Sequence, residues 1–214
     1  MTTQDRETPN ERATETREQL IRAGLVLFSR QGLEGVRTRQ LAEEAGVNQS
    51  AIPYHFGGKE GVYAAVLERT AESIAGRLGL PRLSVTSAAA AEEALRKLMQ
   101  DFVSALLDSD TSAAHSLLLV REQLQPTGSF DRIYLLLFRP LHETVTRLVA
   151  VLRGEQPEVD ENILRAHAIL GQAIAFAVAR EALHRRLGHT VLSRDVVTRI
   201  AGLVGTMAVA SAKA

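Results

Sequence analysis

Apolar residues recur at intervals of three and four along nearly the whole chain, and alternation of apolar with polar residues is almost absent. The first spacing paints a stripe along a helix that turns every 3.6 residues; the second is what a half-buried strand would need. An all-α fold is therefore expected. With 45% hydrophobic and 23% charged residues in 214, the chain has material for a sizeable core.

The helices can be placed from their punctuation. "TREQLIRAGLVLFSRQG" opens with Thr16 and Gln19 at capping-box spacing, carries Ile21, Gly24, Leu25 and Phe28 on one stripe and stops at Gly32. A second helix starts at Thr38, an N-cap residue by type, and runs through Leu41, Ala42 and Ala45 to Gly46. A third is expected in "NQSAIPYHFGGKEG", capped by Asn48, and a fourth from about Gly58 to Leu78. "PRLSVTS" then reads as a linker. Downstream, Leu95, Leu98, Met99, Phe102 and Leu106 mark a helix, and a shorter one follows Asp110 and ends at Pro126. A long pattern, "SFDRIYLLLFRPLHETVTRLVAVLRG", should kink or break at Pro140. Segments 161–187 and 193–211 are apolar on more than one side, so each must bury a second face, for which a partner subunit is the natural candidate. Charge on the last of them, as in Val204→Glu, is expected to give monomers.

Several function classes are excluded or unsupported. There is no cysteine, hence no disulfide, thiolate metal site or thiol redox sensor. No apolar run reaches the ~20 residues that span a bilayer, and the polar start is unlike a secretion signal, so a cytoplasmic protein without membrane association is expected. Glu181 and His184 have the Glu-x-x-His spacing of di-iron bundles, but no second pair accompanies them. His115, His142, His167, His184 and His189 read as satisfied or solvated side chains, and Arg121 and Glu122 as a surface pair in preference to a polar floor of a ligand cavity. Neither a metal nor another cofactor is expected, which leaves a metal-dependent helical enzyme as an unsupported alternative. Net charge is zero, and residues 1–60 hold eight Lys/Arg against nine Asp/Glu, so any nucleic-acid surface must be local.

The short second helix, "GVN", and a further short helix have helix-turn-helix spacing: a glycine stop, an aliphatic residue (Val47) in the turn and a polar cap. In such a pair the second helix enters the major groove. Gln49 and Ser50 can then bond base edges, and Pro53 offers an apolar wedge to a thymine methyl. Tyr54, His55 and Lys59 can reach phosphate oxygens, while Thr38 and Arg39 sit at a helix N-terminus that suits a phosphate. Pro53 would fall about five positions into its helix, where proline costs roughly 3 kcal/mol. Phe56 is expected in the core.

"TRQLAEEAGVNQSAIPYHFGGKEGVYAAVL" resembles the DNA-binding domain of the tetracycline-repressor (TetR) family of bacterial transcription regulators, over about residues 14–70. The positions matching Thr38, Gln49, Ser50, Tyr54, His55 and Lys59 commonly contact DNA in that family. Pro53 departs from it, standing where many members carry tyrosine. "REQLQPT", "RPLHETVTRLVA" and "AREALHRRLGH" resemble the CecR-like subgroup. The resemblance implies an all-α homodimer on a palindromic double-stranded operator, with the last two helices at the interface and a small-molecule effector pocket in the middle helices. Phe102, His115, Phe130, Tyr134, Phe138, His142, Phe176 and Arg180 are candidates to line that pocket, although helix-spaced aromatics also serve as plain core. The organisation expected is a disordered tail (1–13), a helix-turn-helix domain (14–58), a connecting helix (59–79) and an effector-binding and dimerisation domain (80–214). The expected function is a repressor released by its effector; an effector-independent DNA-binding adaptor is the further alternative.

Overall fold

The first apolar stripe belongs to a longer helix than its capping box implies. The computed structural model describes residues 9–80, 85, 87–108, 110–188 and 191–214. Helix α1 runs Pro9–Gly35, so Thr16 and Gln19 lie inside it, and its dihedrals break at Gly32 (φ 71°, ψ 177°). Residues 1–8 of the expected tail, most of the expected linker at 81–87, and His189 lie outside the described residues.

Three more helices follow: α2 (Thr38–Ala45), α3 (Ala51–Phe56) and α4 (Lys59–Leu78). The chain divides into two compact units, one ending at Arg69 and the other starting at Thr70, a boundary that falls within α4. In the first unit, Leu20, Phe28, Leu41, Ile52, Val62 and Leu67 are buried to 1% exposure or less. Phe28 and Tyr63 meet edge to face at 5.1 Å, a favoured geometry for two ring quadrupoles. Gly24 lets α1 approach α4: a Cβ there would stand 2.8 Å from Val66 Cγ2. Across the same two helices Arg69 grips Glu18 with two hydrogen bonds of 2.9 and 2.6 Å, and these hold the Glu18 carboxyl below the usual carboxylate range.

The second unit is built on α5 (Ala88–Leu107), capped by the Ser87 side chain, and α11 (Arg194–Lys213), capped by Ser193. They pack closely: a Cβ on Gly205 would lie 3.0 Å from the Arg96 carbonyl oxygen. Leu95, Leu98, Met99, Phe102 and Leu106 are all buried, as the three-four spacing requires. Between these helices come α6 (Asp110–Leu124), α7 (Phe130–Ile133), α8 (Arg139–Arg153), α9 (Asp160–Val178) and α10 (Arg180–Leu187).

Four expectations are corrected here. Pro140 does not break its helix: residues Tyr134–Phe138 form a π-helical turn in which the Arg139 N–H reaches the Tyr134 carbonyl. Pro140 then follows as the second residue of α8, directly behind a turn whose bonds span five residues instead of four. The segment expected as one helix over 161–187 bends by 64° between α9 and α10, at Ala179. Glu122 is no surface residue: it is 0% exposed and accepts both the Thr127 N–H and hydroxyl at 2.7 Å. Finally, α11 is long and apolar enough to meet the length criterion for a membrane span. Its Val197, Ile200, Val204, Ala208 and Ala212 are nonetheless buried in the second unit, Val204 at 0% exposure, so Val204→Glu reports on folding and not on assembly.

Gly61, in the first turn of α4, stands where there is no room for a side chain. A Cβ there would sit 1.8 Å from the Phe56 carbonyl oxygen, a backbone atom that cannot swing aside. Gly61→Ala is expected to destabilise the protein by about 1–3 kcal/mol or more through overpacking, read as a lowered urea midpoint with an unchanged slope.

Candidate nucleic-acid interface

Gly46 ends α2 in the left-handed conformation (φ 68°), with Val47 N–H bonded back to the Ala42 carbonyl at 3.0 Å. Glycine adopts that conformation without a Cβ penalty. The turn then hands over to Asn48, whose Oδ1 accepts the Ser50 N–H at 2.9 Å and the Ser50 hydroxyl at 2.8 Å. This is an Asx turn, and it sets where α3 starts. The formal cap is Ser50, not Asn48.

That start removes the difficulty posed by the proline. Pro53 is the third residue of α3, and the N–H groups of a first turn have no intrahelical partner to lose. The Gln49 carbonyl, four residues back, is already taken by the Ile52 N–H at 3.2 Å. So α3 runs unbroken from Ala51 to Phe56, and the expected penalty of an interior proline does not arise.

Ile52, at 1% exposure, is the buried side chain of α3. Phe56, expected in the core, is only half-buried; the Arg17 guanidinium lies 4.4 Å over its ring and donates to the His55 carbonyl at 3.3 Å. Arg17 thus ties α1 to the end of α3. No local pattern announces it, because its partners are 38 and more positions away.

Most of the other candidate contact residues on and beside α3 face outward. Tyr54 is 82% exposed, Pro53, Gln49 and Ser50 are exposed, and His55 and Lys59 are half-buried. The Tyr54 and His55 rings meet edge to face at 4.8 Å. Thr38 is the first residue of α2 and not its cap, which is Arg37. Its Oγ1 accepts a Gln49 amide N–H at 3.2 Å, leaving Gln49 an amide oxygen and a second N–H to present. Arg39 is engaged by Glu43 at 2.8 Å, and that bond holds its guanidinium pKa above the ordinary value. An open cleft of about 570 Å³ runs between Thr16 and Gln19 of α1, Asn48 and Ser50 of the turn, and Ala51, Tyr54 and His55 of α3.

The candidate effector residues are gathered only in part. Phe130 stacks on Tyr134 at 6.4 Å and meets Phe138 at 5.9 Å, a run of aromatics along α7 and the π turn. His142 on α8 faces His167 on α9 at 5.8 Å. Arg180 reaches the Leu106 carbonyl at the end of α5 at 3.4 Å. Phe102 is buried in α5, while His115 and Phe176 are half-buried on α6 and α9. Among the described residues no ring contact joins these three to the Phe130 stack. No group of three or more potential metal-ligating side chains occurs among the described residues either.

Residues 20–66 match the bacterial regulatory proteins of the tetR family, and residues 91–214 match the C-terminal domain of the HTH-type transcriptional dual regulator CecR. The chain belongs to the TetR family of transcriptional regulators, in its CecR-like branch. It is 30% identical over 190 residues to the HTH-type transcriptional dual regulator CecR of Shigella flexneri, covering 85% of this chain and 84% of that one. Its fold is shared by AibR, solved with isovaleryl coenzyme A and operator DNA (TM-score 0.68, 16% identity, 89% of this chain and 97% of that one). It is shared too by FadR from Bacillus subtilis, solved with stearoyl-CoA (TM-score 0.65, 16% identity, 91% and 98%). This TetR-family chain is a DNA-binding regulator and not an enzyme.

Burial disfavours the charged forms of two histidines in the second unit. It lowers the His115 pKa, helped by the Arg77 charge, and lowers that of His142, helped by His167. A folded-state pKa below the unfolded value means that the unfolded chain binds protons first. The associated stability is complete above about pH 6.5 and is lost as pH falls through the folded-state pKa values. Urea midpoints are therefore expected to drop from pH 7 to pH 5, with a shallower decline in His115→Gln.

Proposed function

We propose that this regulator binds a palindromic operator as a homodimer, each α3 lying in the major groove, and that a small molecule bound in the second unit releases it. The observation that carries the reading is the outward face of α3. A single aliphatic residue, Ile52, anchors the helix, and Gln49, Ser50, Pro53 and Tyr54 are left at the surface. Gln49 and Ser50 serve as base-edge groups, Pro53 as an apolar contact, and Thr38, Tyr54, His55 and Lys59 as phosphate contacts. Arg39 joins the phosphate contacts by giving up Glu43. The domain reading follows: DNA recognition up to about residue 58, α4 as connector, and effector binding and dimerisation beyond it, in a cytoplasmic protein.

The pairing surface proposed is a stripe on α9 (Leu164, Ala168, Gly171, Ala175 and Val178) with Leu203 and Met207 of α11, all exposed. Small residues along such a stripe let helices approach closely. In a dimer the two α3 helices enter successive grooves only at about 34–36 Å separation. A ligand that binds better to a state with another spacing draws population off DNA, and a few kcal/mol of differential affinity suffices. The candidate lining is Phe102, His115, Phe130, Tyr134, Phe138, His142, Phe176 and Arg180. That AibR and FadR, which share the fold, were solved with acyl-CoA ligands supports a small-molecule effector for this chain.

Two outcomes test the reading. Gln49→Ala is expected to cost about 1–3 kcal/mol on the preferred duplex and to relax preference at one base pair, whereas Lys59→Ala weakens all duplexes alike and lowers the salt slope by about one counterion. Equal loss on every sequence with Gln49→Ala would contradict the assignment. In sedimentation, Leu164→Glu combined with Leu203→Glu should yield folded monomers that no longer hold DNA; a persisting dimer would put the interface elsewhere.

A further inference from the structure

Asn48 and Ser50 settle the polarity of the bonds between them. The Ser50 backbone N–H, which can only donate, lies 2.9 Å from Asn48 Oδ1, so the atom facing it has to be the carboxamide oxygen and not the nitrogen. The same oxygen stands 2.8 Å from Ser50 Oγ. A carbonyl oxygen has no proton to give, so the serine hydroxyl donates. The Ser50 proton is thereby committed to Asn48, and what Oγ presents at the exposed head of α3 is lone pairs.

We infer that Ser50 reads DNA as a hydrogen-bond acceptor only, selecting on its strand a base with an exocyclic amino group, adenine or cytosine, over guanine or thymine. The inference rests on the proposal that α3 is the DNA-reading helix. Each base pair shows one amino group in the major groove, adenine N6 or cytosine N4. An acceptor fixed to one side of the pair separates A and C from G and T on that strand, and does not separate A from C. The same polarity turns Ser50 away from phosphate oxygens, which are themselves acceptors. Turning the hydroxyl toward guanine O6 or thymine O4 would forfeit the bond to Asn48, a loss of roughly three- to tenfold in affinity.

The test is selection of random duplexes by the full chain, scored position by position, for the wild type, Ser50→Ala, Asn48→Ala and Asn48→Asp. Ser50→Ala identifies its base pair as the one whose preference disappears, with the salt slope unchanged. At that pair the wild type should enrich A and C over G and T by about three- to tenfold. Asn48→Asp, whose carboxylate still accepts both bonds, should keep the bias while binding more weakly beside phosphate. Asn48→Ala frees the hydroxyl to rotate and should admit G and T. Wild-type enrichment at that pair of a single base, or of two pairs whose amino groups lie on opposite strands, a bias unchanged in Asn48→Ala, or no position altered by Ser50→Ala would overturn the inference while leaving α3 as reader, provided other positions stay selective. A wild type that enriches no sequence at all would overturn the DNA-reading role itself, and this inference with it.

Discussion

The DNA-facing surface depends on how little of α3 is buried. A helix of six residues has too few internal bonds to hold itself, so its position must come from its neighbours. Ile52 supplies the apolar anchor, the Asn48 carboxamide fixes the first turn, and Arg17 holds the His55 carbonyl at the far end. With both ends fixed and one aliphatic side chain inserted, the other side chains are free to face outward without weakening the fold. Rigid placement of a polar face is what base recognition requires, because a hydrogen bond to a base edge discriminates only if its donor or acceptor cannot shift.

Pro53 shows how a local rule can be right and misapplied. Counted from Asn48 the proline looks interior and costly; counted from Ala51 it lies in the first turn and costs no helical bond. The difference comes from the Asx turn, which consumes two residues before the helix begins. The Asn-x-Ser spacing was a legible signal for it. Pro140 is a related case, since it stands second in α8 directly behind a π turn and the helix runs on through it.

The helical class, the glycine stops at Gly32 and Gly46, and the buried stripes of α4 and α5 were legible because each depends on residues within one or two turns of each other. Features set by distant partners were not. Arg17 over Phe56, Glu122 closing the Thr127 turn and the bend at Ala179 have no signature in a short window; no glycine or proline marks the bend at all. Val204 failed for a related reason. An apolar helix with two faces to bury shows which residues are apolar, but not which face meets α5 and which is left exposed. The candidate contact residues around α3 came from motif and resemblance, and the structure adds how they are pre-oriented: Gln49 by Thr38, Ser50 by Asn48, Arg39 by Glu43.

The central claim is that two copies of α3 occupy the major groove on one face of a duplex. Methylation interference on the duplex the protein prefers probes this directly, because dimethyl sulfate marks guanine N7 in the major groove and adenine N3 in the minor groove. The account predicts interference at guanine N7 in two clusters whose centres lie about 10–10.5 base pairs, or a multiple of that, apart. Interference confined to adenine N3, or a single N7 cluster without a symmetric mate, would contradict it.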